Sequence, residues 1–195
     1  DGDGTYKQKH YLKIQGTDTW DHPDTAKPLK DVQQGTKYLK SIGVLPRYAM
    51  MNSTTFDYLV ENEQIKNALI TSSGKTVDFT DEATVKEIFT RKTGLTPIIY
   101  DKMYIDYKGE TQKFYPDDKV TIIGAGTLGS TYYGVTPEER TLMSNKSVDV
   151  AMLDNRIAIA TKTEQGPPIK TTTSVSQIVL PSYEGIDSTF VLDVK

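Results

Sequence analysis

Apolar residues recur at helical spacing near the start of the chain. The positions that share this spacing are Leu29, Val32, Leu39 and Ile42. Pro28 suits the first turn of a helix, and Gly43 is a common residue just beyond a helix end. The pattern therefore predicts a helix over residues 28–42 with one buried face. Gly35 inside it should cost about 1 kcal/mol of helix stability relative to alanine.

Further helical segments are predicted downstream. Ser53 or Thr54 is expected to cap a helix, and a second helical stretch follows it directly. Another helix covers residues 81–93 and ends at Gly94. A short helix begins at residues 136–139, where a capping-box sequence places proline at the first helical position.

Strands are predicted where β-branched and aromatic residues lie between turn residues. These segments are residues 9–14, 47–51, 96–100, 103–107, 111–115, 119–123, 148–153, 156–161, 174–180 and 189–194. Turn residues at 108–110 and 154–155 predict two hairpins. Residues 16–27 are predicted to be a polar loop that carries the only tryptophan, Trp20. The irregular order of helices and strands favours an α+β fold over a doubly wound parallel sheet.

Composition narrows the possible functions. The chain has 195 residues and a net charge of −3, so it holds one domain or two small ones and has no overall basic field for nucleic acid. It contains no cysteine, which excludes disulfides, thiolate catalysis and cysteine-bound zinc. No apolar run is long enough to span a bilayer, and we identify no signal peptide. Because the chain does not begin with methionine, we expect it to be part of a longer protein.

The sequence from Gly124 to Gly129 matches the dinucleotide fingerprint GxGxxG after a predicted strand. Asp149 lies near the distance expected of the acidic residue that binds a ribose. However, the glycines should open a helix, and residues 130–137 contain β-formers, a glycine and a proline instead. We therefore predict an irregular structural loop and keep nucleotide binding as the weaker alternative.

Metal and catalytic motifs are weak. The Asp-Gly repeat at residues 1–4 resembles a calcium loop but lacks its later ligands, and the histidines, His10 and His22, are too few for a cluster. His22 lies among aspartates, yet acidic residues in a polar loop are usually solvated. Possible glycosylation triplets at Asn52 and Asn145 are short enough to arise by chance. The sequence predicts no catalytic, cofactor-binding or metal-binding residues, no cofactor, and no enzyme.

Several segments together resemble the major capsid protein E family of tailed phages. The first runs from Trp20 through Ala26-Lys27-Pro28-Leu29 to Val32, with Lys27 where the family usually has an aspartate cap. The others are Gly43 to Phe56 with its Asn-Ser-Thr-Thr-Phe run, Leu128 to Glu139 with its Tyr-Gly-Val-Thr-Pro-Glu-Glu turn, and residues 174–194. Their shared order along the chain carries the resemblance.

The resemblance implies the fold of tailed-phage shell subunits, with a spine helix, a peripheral domain and an axial domain. Mapped onto this chain, residues 1–50 would belong to the peripheral domain with the spine helix at 28–42. Residues 51–170 would form the axial domain, and 171–195 would supply return strands to the peripheral domain. The N-terminal arm and most of the extended loop of the family would be missing.

The function implied by the resemblance is that of a structural subunit of an icosahedral phage or prophage head. Its expected partners are other copies in hexameric and pentameric capsomers, and also scaffold, portal and decoration proteins. Encapsidated DNA would be bound without sequence specificity, and no membrane would be involved. The expected location is the virion capsid, assembled in the cytoplasm of the host bacterium. The alternative from another class is a secreted or surface-anchored bacterial binding module.

Overall fold

Helices and strands are mixed along the whole chain. The computed structural model describes residues 9–73, 81–142, 149–164 and 166–195. The helices in this part are α1 (Pro28–Ser41), α2 (Ser53–Glu61), α3 (Glu63–Ser73), α4 (Glu82–Thr93) and α5 (Pro137–Leu142). The strands are β1 (Tyr11–Lys13), β2 (Pro46–Met51), β3 (Thr96–Ile99), β4 (Met103–Ile105), β5 (Thr111–Lys113), β6 (Lys119–Gly124), β7 (Gly129–Gly134), β8 (Asp149–Leu153), β9 (Ile157–Glu164), β10 (Lys170–Ser176), β11 (Ile178–Tyr183) and β12 (Thr189–Asp193). The predicted α+β class is confirmed.

The chain divides into two compact units. Unit 1 comprises the described residues of Asp1–Gly126 and Gly185–Lys195, and unit 2 comprises those of Thr127–Glu184. The expected domain boundaries, after residues 50 and 170, fall inside strands β2 and β10. Each of these strands is continuous because it pairs with a strand of its own unit, β6 and β9 respectively. The division into peripheral and axial domains stays a prediction.

Unit 1 is built on a five-stranded sheet with the order β1-β12-β6-β2-β3. The C-terminal strand β12 pairs parallel to β1 and antiparallel to β6, so Val191 lies opposite both Tyr11 and Thr121. β2 pairs antiparallel to β6 and parallel to β3. Both ends of the chain therefore contribute adjacent strands to one sheet.

Helix α1 packs against this sheet through a close approach at Gly35. A Cβ atom at Gly35 would lie 2.7 Å from both Ile122 Cδ1 and Phe190 Cδ1. Glycine lowers the intrinsic stability of this helix, but a residue with a Cβ would not fit against the sheet without a shift. The sequence pattern did not reveal this packing requirement. Larger residues at this position would force the helix away from the sheet.

Most of the predicted apolar face of α1 is buried. Leu29, Val32 and Leu39 are at most 7 % exposed. Ile42 is 44 % exposed, so its assignment to the buried face was wrong. The helix ends at Ser41 and the backbone of Ile42 leaves helical geometry, which turns its side chain away from the line of the other three.

The N-terminal cap of α2 is Asn52 and not Ser53 or Thr54. Asn52 is extended, and its Oδ1 accepts a hydrogen bond from the backbone N–H of Thr55 at 2.9 Å. Its amide nitrogen donates to Asp117. Anchoring on both sides fixes Asn52 as the last extended residue before the helix.

Unit 2 contains a two-stranded ribbon, β7–β11, and a three-stranded sheet with the order β10-β9-β8. The predicted single strand over residues 174–180 was wrong, because the chain changes sheets at Gln177. Ser176 pairs with Ala158 in the three-stranded sheet, whereas Ile178 pairs with Gly134 in the ribbon. The side-chain amide of Gln177 is bonded to a backbone carbonyl 2.8 Å away, at the turn between β8 and β9.

Candidate interaction surfaces

The two histidines make separate local contacts. His10 is buried, with Nδ1 2.9 Å from the carbonyl of Thr189 and Nε2 3.8 Å from Asp187. His22 Nδ1 lies 3.0 Å from Asp21 Oδ1. Across the described ranges, no three histidine, aspartate or glutamate side chains gather in a group that could hold a metal ion.

The glycine-rich fingerprint connects two strands. Gly124 ends β6 and Gly129 begins β7, and a Cβ at Gly129 would lie 1.9 Å from the carbonyl oxygen of Ser182. Gly126 between them has φ = +121°, a conformation that essentially only glycine adopts. A pyrophosphate site needs a helix N-terminus after the last glycine, and a strand follows here instead. The connection between β6 and β7 agrees with a structural role for these glycines, although Gly129–Gly134 form a strand that the sequence analysis did not predict. The absence of nucleotide binding stays a prediction, and Asp149 is the first residue of β8.

The remaining sequence motifs give no site. Asn52 of the first glycosylation triplet is 1 % exposed and caps α2, so its amide is not available to a modifying enzyme. Asn145 of the second triplet and the Asp-Gly repeat of residues 1–4 lie outside the described residues.

A shielded carboxylate links three strands of unit 1. Asp193 on β12 lies 2.7 Å from Lys119 Nζ on β6 and accepts a hydrogen bond from the hydroxyl of Tyr11 on β1. Burial alone would raise the pKa of Asp193, but the hydrogen bonds from Lys119 and Tyr11 together with nearby positive charge outweigh it and hold the pKa below its ordinary value. Because all these partners are residues of neighbouring strands, we assign the network a structural role in stabilising the sheet.

The ribbon of unit 2 exposes apolar side chains on both faces. Directly opposed residues of an antiparallel pair share a face, so Leu180 lies beside Tyr132 and Val179 lies beside Tyr133 on the other side. The exposure of these four side chains ranges from 37 % for Tyr133 to 65 % for Leu180. A two-stranded ribbon is marginally stable by itself, and covering it would remove apolar surface from water on both sides.

The three-stranded sheet of unit 2 has one covered and one open face. Ser176 Oγ donates to Glu138 Oε2 of α5 at 2.6 Å, and Ala158 shares that face and is fully buried. Val175 points to the opposite face, where its cross-strand neighbour is Ile159, and it is 64 % exposed. The open face therefore presents apolar side chains to solvent.

Unit 1 has an exposed apolar hairpin of its own, β4–β5. The rings of Tyr104 and Phe114 lie 4.7 Å apart. Met103, Ile105 and Tyr107 are 56 %, 72 % and 92 % exposed.

No helix in the described part of the chain is long and apolar enough to cross a membrane.

These surfaces could not be identified from the sequence pattern. Alternating strands usually bury one face, and nothing local distinguishes a strand whose apolar side stays open. The broad, exposed apolar areas are the arrangement expected of a protein that binds other proteins.

Comparison with known proteins supports that interpretation. The sequence profile of the family described as phage major capsid protein E matches residues 5–149. No curated protein matches the sequence.

Two solved structures share the fold. A phage-related protein from Bordetella bronchiseptica RB50 has a TM-score of 0.60 and 12 % identity over 95 % of this chain and 55 % of its own. A candidate capsid protein of a prophage in Escherichia coli CFT073 has a TM-score of 0.64 and 14 % identity over 96 % of this chain and 53 % of its own. This chain thus spans about half the length of either protein.

Proposed function

The chain belongs to the phage major capsid protein E family, and on that premise we propose that it is part of a structural subunit of an icosahedral phage or prophage head. Subunits of such a shell are held together by wide contacts between copies. The family membership favours this role over the alternative of a secreted or surface-anchored binding module.

The surface of unit 2 is the observation that carries the proposal. Its buried residues, among those described, are Thr136, Ala158 and Ala160. By contrast, its exposed large apolar side chains are Tyr132, Tyr133, Val135, Met152, Leu153, Ile169, Val175, Ile178, Val179, Leu180 and Tyr183. Monomeric soluble proteins rarely leave so much apolar surface uncovered, because burying it is favourable by about 25 cal/mol per Å². Contacts with neighbouring copies would cover it.

The partners follow from the same role. The principal partner is another copy of the protein, arranged in hexameric and pentameric capsomers. Scaffold, portal and decoration proteins and the packaged DNA complete the proposed set, with DNA held without sequence specificity. The proposed location is the virion capsid, after assembly in the host cytoplasm.

The domain assignment and the absence of enzymatic activity are proposals of the same kind. A peripheral domain built on α1 and an axial domain toward the capsomer axis would divide the contacts between capsomers and within them. Capsid proteins are not a class of enzymes, and a shell subunit needs shape complementarity instead of tuned titratable groups.

Electron microscopy tests the proposed function. The gene product that contains this chain, expressed with its neighbouring phage genes, should form closed shells visible by negative stain. A matched preparation in which Leu180 and Val175 are both replaced by glutamate should fold but form no shells, because two open apolar surfaces would then carry charge. Absence of shells from the unmodified protein under these conditions would overturn the proposal.

A further inference from the structure

The exposed side of α1 is strongly basic. Its exposed side chains are Lys30, Gln33, Gln34, Lys37, Lys40 and Ser41. At 100° per residue they fall within one stripe about 120° wide. The helix has one acidic residue, Asp31, and it lies outside this stripe, bonded to the indole of Trp20. With exposed Lys27 just before the helix, the stripe carries lysines along its whole length. Asp18 and Asp31 line a cavity with Lys27 and Lys30, so the positive charge is least compensated toward Lys37 and Lys40.

The basic surface continues onto the end of α4. The side-chain amide of Gln33 donates to the carbonyl of Lys92 at 3.3 Å, which places the last turn of α4 beside α1. Lys92 is exposed and follows Arg91 in that turn. We call the set Lys27, Lys30, Lys37, Lys40 and Lys92 the basic surface.

The opposite end of α4 is acidic. Asp57, Glu82 and Asp101 line an open cavity of about 280 Å³ whose apolar wall includes Phe56 and Ile99. Burial and the nearby carboxylates of Glu61, Glu82 and Asp101 raise the pKa of Asp57, so these negative charges act on one another. We call Asp57, Glu61, Glu82 and Asp101 the acidic surface; Lys86, bonded to Glu82, is a cation within it.

The two surfaces are distinct areas of unit 1. Glu82 and Lys92 are ten residues apart on α4, which corresponds to about 15 Å along the helix. Unit 1 therefore presents opposite charges at two separated places, and neither surface is complementary to itself.

We propose that the basic surface of one copy docks onto the acidic surface of a second copy. The inference rests on the proposed function, since a shell brings many copies of the chain side by side. A contact between two different surfaces is heterologous, and contacts of this type form a ring, the symmetry a capsomer requires, when the rotation between copies closes. Charge complementarity also orients the approach of two copies before they touch. Nucleic acid is the competing partner for the lysines, but it would leave the acidic surface without a role.

A charge swap tests this docking directly. The first variant, Lys30→Glu with Lys37→Glu, makes the basic surface acidic. The second, Asp57→Lys with Glu61→Lys, makes the acidic surface basic. A control, Lys108→Glu with Lys170→Glu, changes net charge as the first variant does, at exposed residues outside both surfaces. Buried Trp20, the single tryptophan, reports whether each variant is folded.

Self-association is measured by sedimentation of each protein and of mixtures. The unmodified chain should associate more tightly at about 50 mM than at about 500 mM salt, because salt screens exposed charges. Each swapped variant alone should associate at least about tenfold more weakly, since several exposed ion pairs are replaced by repulsion. The equimolar mixture should regain association, because every contact again joins opposite charges, and the control should match the unmodified chain.

In the sedimentation experiment, the inference would be overturned by no association of the unmodified chain, by association of both variants at its level, or by a mixture that fails to recover. Binding of a short DNA duplex that the lysine reversals abolish, with self-association unchanged, would assign the basic surface to nucleic acid instead. Shells formed normally by a gene product carrying the lysine reversals would overturn the docking and leave the proposed function standing. Absence of shells from the unmodified gene product would count against the proposed function alone.

Discussion

The indole nitrogen of Trp20 donates a hydrogen bond to Oδ2 of Asp31 at 3.1 Å. Trp20 is 1 % exposed, and its backbone N–H donates to the carbonyl of Val194 at 2.9 Å. The residue therefore joins the segment before α1, the first turns of that helix and the C-terminus. Both residues belong to the segment that carries the family resemblance. Their hydrogen bond gives these two positions of the segment a structural role.

Two substitutions of Asp31 distinguish the effect of its charge on stability from the effect of its hydrogen bond. Burial raises the pKa of Asp31 above its ordinary value, although the bond from Trp20 opposes this. Asp31→Ala should destabilise the chain by about 1–3 kcal/mol, because the buried indole N–H loses its acceptor. Asp31→Asn keeps an acceptor oxygen and should cost less. Denaturation monitored by Trp20 fluorescence measures both, and equal losses would contradict the assignment of the hydrogen bond.

The raised pKa of Asp31 predicts that the free energy of unfolding depends on pH. A folded pKa above the unfolded one means that ionising Asp31 costs stability. Its unfavourable contribution is absent below the ordinary carboxyl pKa and grows as pH rises through the raised folded value. The free energy of unfolding of Asp31→Asn, relative to the unmodified chain, should therefore increase over that interval. A difference that stays constant with pH would show that the carboxyl is not perturbed.

Leu39 and Ile42 provide a matched pair on α1. Leu39 is fully buried, so Leu39→Ala should destabilise unit 1 by about 2–5 kcal/mol. Ile42 is 44 % exposed just beyond the helix end, so Ile42→Ala should change stability by less than about 1 kcal/mol. Chemical denaturation midpoints distinguish the two, and similar shifts for both variants would refute the assigned face.

Gly35→Ala tests the close approach of α1 to the sheet. Alanine should gain about 1 kcal/mol of helix propensity but lose about 1–3 kcal/mol through overpacking, so the net effect should be destabilising. Adding Ile122→Val removes the Cδ1 atom that lies 2.7 Å from the new Cβ and should recover part of the loss. Thermal unfolding of the single and double variants measures this coupling. Strictly additive effects would argue against the contact.

Gly126→Ala tests the role of the glycine loop. With φ = +121° and no atom within 4 Å of the added Cβ, the variant meets backbone strain and no clash. It should lose about 1–3 kcal/mol of stability. A fluorescence titration with NAD or ATP should give no saturable binding before or after the substitution. Saturable binding that Gly126→Ala abolishes would restore the nucleotide interpretation.

The chain of 195 residues should remain a monomer or small oligomer and form no closed shell. The two solved structures that share the fold are about twice as long as this chain, and stable interfaces bury about 1,200–2,000 Å². Each interface of a closed shell has to offset the roughly 4–15 kcal/mol of rigid-body freedom lost on association, so the charged contact proposed above should give small oligomers and no closed shell. Light scattering across concentration and salt is the measurement, with the gene product that contains this chain as the control. Shell-sized particles from this chain alone would disprove the prediction.

Local signals in the sequence determined where most elements begin and end. Pro28 and Gly43 bracket α1. The N-cap residue of this helix, Lys27, makes no side-chain capping hydrogen bond, as expected where lysine replaces an aspartate. The turn at residues 108–110 gave the hairpin β4–β5, and Thr136 caps α5 through a bond from the backbone of Glu139 at 3.2 Å. These features depend on residues within a few positions of one another, so a sequence pattern contains them.

The tertiary structure decided what each element contacts. Trp20 lies in a segment predicted to be a polar loop, yet it is buried, with its indole N–H bonded to Asp31 and its backbone N–H bonded to the carbonyl of Val194, just beyond β12. Gly35 is required by Ile122 and Phe190, which are more than eighty residues away in sequence. The division into two units and the open apolar faces of unit 2 likewise follow from pairing between distant strands. Such contacts are set by the shape of the whole fold, and periodicity along the chain carries no information about which distant surfaces meet.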